Sequence, residues 1–353
     1  MREWMEANVP EGRSNNFNLL RFVAACMVIY GHMYSLMGVA AIPNIGTAAV
    51  HNVGVCILFL ISGFLIYESW QRDPNILRYA VRRVLRLWPA LIVLCLLTAL
   101  VMGPLVTNLP ARQYFADSGT WKYIANNILL RMEYRLPGVF AENPYSFMVN
   151  RSLWTMPVEA VMYAALPILL CVLRKPRAQK LGLICAAAAL SAFRLLCFLL
   201  EWQPPDVFLL AHYFFIGTLF TFPRVRRLLN TQVAIAALLL LAARPGATFV
   251  GECAFLLLLP YVVFSFALPG RAVFAGLFTK NDYSYGLYLY AFPVQQLLIP
   301  SLLAHGVDPC VGAVLTFTLT LLLAASSWHL VERHAQRLSK SICAKLTKRS
   351  QSA

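Results

Sequence analysis

Ten apolar stretches, most of them near the length of a membrane-spanning helix, leave this chain few ways to fold. They run over about 17–37, 52–70, 87–106, 152–173, 181–200, 206–222, 231–243, 247–267, 283–303 and 310–331, the seventh being short. In hydrocarbon every backbone polar group needs an internal partner, and a helix of roughly 20 residues spans a core of about 30 Å. The expectation is therefore an all-α fold: a polytopic membrane helix bundle of about ten transmembrane helices. The 353 residues are 59% hydrophobic and 13% charged, whereas soluble domains average about 45–50% apolar and about 25% charged. No polar segment of domain size interrupts the pattern, so residues 1–335 read as one transmembrane domain and 336–353 as a basic cytoplasmic tail. Gly38-Val39-Ala40-Ala41 looks like a signal-peptide cleavage site. The apolar run before it is too long for one and contains Arg21 and His32.

The formal net charge of +15 raises the question of nucleic acid, and the placement of the charge answers it. Lysine and arginine gather in short segments between apolar runs, the mark of membrane orientation rather than of a nucleic-acid face. With a cytoplasmic N-terminus, 22 of the 30 basic residues fall on inside segments and 6 on outside ones. That imbalance predicts N-in and C-in. The nine cysteines lie almost all in apolar runs, with neither a disulfide framework nor a metal-type pair, so no metal is expected.

The first apolar run carries Arg21 and His32, eleven residues apart. That spacing is about three helical turns, so both side chains leave one face roughly 16 Å apart along the axis. Ionisable groups at membrane depth mark functional sites by default, although Arg21 near the inner boundary is also placed to snorkel. Glu159 is the one carboxylate well inside a span. Counted from the outer boundaries, His32 and Glu159 both lie roughly 8–10 Å deep, which lets them meet, the carboxylate fixing the imidazole tautomer. The residues alone equally allow Glu159 to be a buried structural partner of an arginine or tyrosine. On the inner side, Arg82, Arg83 and Arg86 present forked guanidiniums suited to a polyphosphate, and suited also to anchoring the chain or binding anionic lipid. The exterior segment 107–151 carries Trp121, Tyr123, Tyr134, Phe140, Tyr145 and Phe147, as an interfacial aromatic belt or the floor of a sugar site.

Taken together, several motifs resemble the acyltransferase-3 family of bacterial membrane acyltransferases. They are Arg21 with His32, Gly54-Val55-Cys56-Ile57-Leu58-Phe59-Leu60-Ile61-Ser62-Gly63-Phe64, and Arg82-Arg83-Val84-Leu85-Arg86-Leu87-Trp88-Pro89. Ser152-Leu153-Trp154-Thr155-Met156-Pro157-Val158-Glu159, Tyr283-Ser284-Tyr285-Gly286-Leu287-Tyr288-Leu289-Tyr290 and Trp328-His329-Leu330-Val331-Glu332 follow in order. The likeness runs from about residue 15 to 335. Two positions depart from it: Cys56 stands where many members have an acidic residue, and Ala291 where a histidine is often found.

The resemblance implies an O-acyltransferase of the bacterial cytoplasmic membrane. It implies transfer of an acyl group, usually acetyl from acetyl-CoA, to a hydroxyl on a polysaccharide or lipid-linked saccharide. It implies that His32 is the catalytic histidine with Arg21 beside it, and that Arg83 and Arg86 help receive the CoA. Glu159 as the group that orients or charge-balances His32 is instead the geometric expectation above. The competing class is a transporter or flippase of a lipid-linked sugar, with His32 and Glu159 as a proton relay.

Overall fold

The computed structural model describes residues 15–46, 48–243, 248–268 and 281–352. Arg2, Arg13, Arg244, Arg271 and Lys280, which enter the charge count, lie outside them. The expected bundle is present. Eight helices are long and apolar enough to cross a membrane, and two shorter apolar ones, Asp206–Leu219 and Thr231–Ala242, fall on the sixth and seventh stretches. The protein is an all-α multi-pass membrane protein embedded in a lipid bilayer.

In chain order α1 is Phe17–Leu36, α2 Val50–Arg72 and α3 Ile76–Val106. Two-residue strands, β1 Asn44–Ile45 and β2 Ala48–Ala49, pair antiparallel in the turn between α1 and α2. The exterior segment folds into α4 Ala111–Ala116, α5 Ser118–Ile128 and an irregular stretch. A 3-10 turn, Arg151–Trp154, then leads into α6 Thr155–Val172. Next come α7 Pro176–Leu199, α8 Asp206–Leu219, α9 Thr231–Ala242 and α10 Phe249–Ala267. The last are α11 Ser284–Ala304, α12 Pro309–Ser327 and α13 Arg333–Ser352. The end of α12 runs into α13 through a π-turn, Trp328–Glu332, so the basic tail is a helix rather than a loose extension.

Asn16, at the start of α1, donates its backbone N–H to Ala267 and its side-chain amide to Phe266 at the close of α10, so these two helix ends lie at one level. Helices α2 and α11 form the middle, 72% and 67% buried over their apolar windows, while α7 is only 17% buried. Leu181, Ile184, Leu196 and Leu199 of α7 are exposed, facing the surrounding lipid as a peripheral crossing does.

Small residues let α2 sit so deeply. A Cβ on Gly54 would stand 2.6 Å from the Ala24 carbonyl oxygen of α1. A Cβ on Gly63 would overlap the Phe214 carbonyl of α8, and one on Gly217 the Leu60 carbonyl of α2, so these helices cross with backbones touching. Lipid tails are as apolar as leucine, so such packing rather than hydrophobicity holds membrane helices together. Gly63→Val therefore overpacks the α2–α8 crossing and costs about 1–3 kcal/mol. Thermal unfolding of the detergent-solubilised protein checks this; an unchanged Tm would mean that the crossing is looser than described.

Candidate active site

Two polar centres lie at opposite ends of α1, and its periodicity sets their separation. Toward the inner end, Asp282 accepts a hydrogen bond from Arg21 of α1 at 2.9 Å and one from Arg86 of α3 at 2.6 Å, both on Oδ2. Its other oxygen accepts from the Ser284 hydroxyl at 2.5 Å and the Ser284 backbone N–H at 3.2 Å. Burial by itself raises the Asp282 carboxyl, but the Arg21 and Arg86 guanidiniums outweigh it and hold the group well below the usual carboxylate range. The π-turn adds a second acid: Glu332 lies 3.7 Å from Arg86 and accepts from the Ser327 hydroxyl at 3.0 Å. Trp328, from the same turn, donates its indole N–H to the Asn281 side chain at 3.0 Å.

These groups line a cavity of 690 Å³ that also receives Arg82, Arg83 and Lys340. The three expected phosphate ligands differ in how they are held. Arg82 bonds Asp73 at 2.6 Å, and Arg78 grips the same carboxylate with two nitrogens. Hydrogen bonding to Arg78, aided by Arg82, lowers the Asp73 carboxyl to about 2 against the smaller opposing pull of burial. Arg86 is engaged by Asp282 and Glu332. Arg83 has no carboxylate partner among the described residues. Its guanidinium lies over the rings of Tyr79 and Tyr163 at 5.7 and 5.6 Å, and its Nε is buried without a hydrogen bond. Of the three, Arg83 is the cation left available to an anionic ligand.

A narrow cavity of 40 Å³ continues from this space into the bundle, sharing Arg21 and Ser62 with it. Glu159 lines it, with Val55, Phe59, Thr155, Tyr285 and Tyr288. The Glu159 carboxylate accepts a short hydrogen bond from the Tyr163 hydroxyl.

His32 stands about three turns further out along α1. Its ring lies 5.0 Å from that of His51 on α2 and 5.6 Å from Phe292 on α11. The Nδ1 atoms of both histidines are buried without a hydrogen-bond partner. His51 packs so closely on Gly31 that a Cβ there would lie 2.7 Å from its Nδ1. Phe292 leads on to Tyr145, 6.3 Å away, whose hydroxyl accepts from Arg151. Among the exterior aromatics, Tyr123 is fully buried and Trp121 half exposed. Phe140 lines an outer cavity of 380 Å³ beside Asn108, Glu142, Asn143 and Gln296.

The structure thus brings Arg21 and Arg86 together at the inner end, sets Glu159 in the cavity that adjoins them, and does not bring Glu159 to His32. No hydrogen bond joins them, and Glu159 takes Tyr163 as its partner, the second of the two roles its residue type allows. The physical reason lies in where the helices start. Four residues, about 6 Å, separate His32 from the end of α1 at Leu36. Glu159 follows the 3-10 turn that opens at Arg151, and the greater rise of that turn carries it about 14 Å inward. Likewise Arg21 is not beside His32: it shares its face but sits with Asp282. Sequence reasoning passed over His51, although it stands three residues before the Gly54 motif, and Asp282, although it directly precedes Tyr283-Ser284-Tyr285.

The bundle thus holds a cationic cavity at one end and a pair of half-buried imidazoles toward the other. Residues 14–329 match the family described as "Acyltransferase domain", and the chain belongs to this acyltransferase-3 family. An "O-acetyl transferase" of Shigella phage Sf6 is 28% identical over 91% of this chain and 96% of that protein. "Nodulation protein 10" of Rhizobium leguminosarum bv. viciae is 30% identical over 95% of this chain and 96% of its own length. No solved structure gives a significant match. The protein is a membrane O-acyltransferase rather than a transporter.

Because Asp282 neutralises two partly buried guanidiniums, Asp282→Asn leaves Arg21 without a carboxylate and Arg86 with only the more distant Glu332, and destabilises the protein by about 3 kcal/mol. Thermal unfolding checks this, and Asp282→Asn combined with Arg21→Gln recovers part of the loss. A Tm equal to that of the wild type would show the junction to be dispensable.

Proposed function

We propose that the protein carries an acetyl group from cytoplasmic acetyl-CoA to a hydroxyl of an exported or surface glycan or glycolipid, in the cytoplasmic membrane of a bacterium. The name of the phage relative, an O-acetyl transferase, supports acetyl as the group moved. The cavity of 690 Å³ with an uncommitted Arg83 supports a donor that carries phosphates. Arg82 and Arg86 share their charge between that donor and the carboxylates that fix them. The pantetheine arm then follows the narrow cavity past Arg21, Ser62 and Glu159, which makes Arg21 and Glu159 lining groups of the donor route rather than direct partners of His32.

His32 carries the chemistry, and the observation behind this is its buried, unpartnered Nδ1 beside His51, about three turns outward from Arg21 along α1. The imidazole takes the proton of the acceptor hydroxyl as its oxygen attacks the thioester carbonyl. The carbon–sulfur bond breaks, and the departing CoA thiolate takes the proton from the imidazolium. His51 holds the His32 ring in place across α1 and α2. The acceptor approaches from the exterior segment, where Asn108 and Glu142 line the cavity of 380 Å³ and Asn143 and Gln296 bond each other beside them.

His32→Ala lowers the rate of acceptor-dependent CoA release by about a hundred- to ten-thousandfold, the usual worth of a general base, while the amount of protein in the membrane stays unchanged. Full activity in that variant would overturn the assignment. Glu159→Gln raises KM for acetyl-CoA more than it lowers kcat. A loss of kcat as large as that of His32→Ala would instead place Glu159 in the chemical step.

A further inference from the structure

Helix α13 turns one face toward the donor cavity. Gln336, Ser339 and Lys340 line that cavity, and Cys343, next along the same face, donates its thiol to the Arg78 carbonyl oxygen at 3.6 Å. Ser339 and Ala335 are buried, so the helix is docked against the inner end of α3. The π-turn Trp328–Glu332 links the docking to the site, because it turns Trp328 toward Asn281 and Glu332 toward Arg86 while redirecting the chain into α13. Six cations line the cavity against two carboxylates, Asp73 and Asp282. Four of them are committed: Arg82 to Asp73, Arg21 and Arg86 to Asp282, and Arg72 to the Glu68 carbonyl. Arg83 and Lys340 have no such partner among the described residues. They approach the space from different helices, α3 and α13.

We infer that Lys340 is a phosphate ligand of the donor, so that α13 forms one wall of the donor site and Lys340 and Arg83 hold the nucleotide end of acyl-CoA between them. This rests on the donor reading above. A diphosphate and a ribose phosphate need cations spread over a cavity rather than one guanidinium pair. Arg83 supplies a planar fork over two tyrosine rings, and Lys340 a point charge on a flexible stem that follows the ligand. Among the described residues no other member of the tail supplies a charge to this cavity: Lys345 lies on a different face of α13.

The experiment uses the full chain in detergent and reads two quantities: KM for acetyl-CoA, and Kd for adenosine 3′,5′-bisphosphate, which carries the nucleotide end alone. Lys340→Ala weakens both by about tenfold, the loss of one charge-assisted contact. Lys340→Arg restores both to within about threefold of the wild type, and kcat changes little because the contact is remote from the reacting atoms. Lys345→Ala leaves both constants unchanged. Unaltered KM and Kd in Lys340→Ala, or a fall in kcat with both constants intact, would overturn the inference. A wild-type protein that binds adenosine 3′,5′-bisphosphate but consumes no acetyl-CoA would refute the donor reading and leave the nucleotide site standing. One that binds neither would remove both.

Discussion

Everything at the inner end of the bundle depends on one carboxylate shared by two arginines. Asp282 stands immediately before α11 and ties α1 to α3 through Arg21 and Arg86. Three helices distant in sequence are fixed by three charged side chains, and the Ser284 hydroxyl and N–H occupy the remaining oxygen. In a poorly screened environment such a junction is worth having only when every member is satisfied, since each unpaired ion costs several kcal/mol. Glu332 extends it to the π-turn after α12, so the docking of α13 is linked to the same network. The consequence for the cavity is selective. Arginines that hold the bundle together are pinned by acids, while Arg83 and Lys340 have no acid partner among the described residues.

Much of this was legible in the sequence because it follows from periodicity and solvent. Hydrocarbon admits backbone only as helix here, so the ten apolar stretches located ten helices, eight of them long enough to cross a membrane and the sixth and seventh shorter. The eleven-residue spacing located Arg21 and His32 on one face with three turns between them. The family likeness, carried by motifs in order, matched the family found over residues 14–329.

What was not legible depended on contacts between helices. Glu159 was counted inward from an apolar boundary, and the 3-10 turn at Arg151–Trp154 shifted its depth. The partner Glu159 takes is Tyr163, four residues along its own helix, a pairing that helical spacing allows but that counting depth does not single out. Asp282 is one acid in a polar linker until packing brings two arginines to it. The π-turn is likewise silent in composition: Trp328-His329-Leu330-Val331-Glu332 continues an ordinary apolar helix, and only its inward-facing ends betray the extra residue. Residues 336–353 read as a basic tail because their lysines and arginines dominate. The face that docks, Ala335, Ser339 and Cys343, is made of small residues with little hydropathy signal.

The separation of the two centres along α1 follows from the chemistry proposed for them. Phosphates are costly to move into hydrocarbon, whereas a neutral thioester arm is not. A donor that must react near the far side of a membrane is therefore best held by its charged end where cations and water are available, with only the uncharged arm admitted to the interior. One helix serves both ends when its polar residues repeat on one face, and three turns give roughly 16 Å of reach. Arg21 then marks where the charged part of the donor stops and His32 where its reactive carbon arrives. The narrow cavity that opens beside Arg21 is lined by Val55, Phe59, Met156 and the tyrosines of α11, with Glu159 and Thr155 among them. On this arrangement the enzyme moves an acyl group across most of the bilayer without moving a charge.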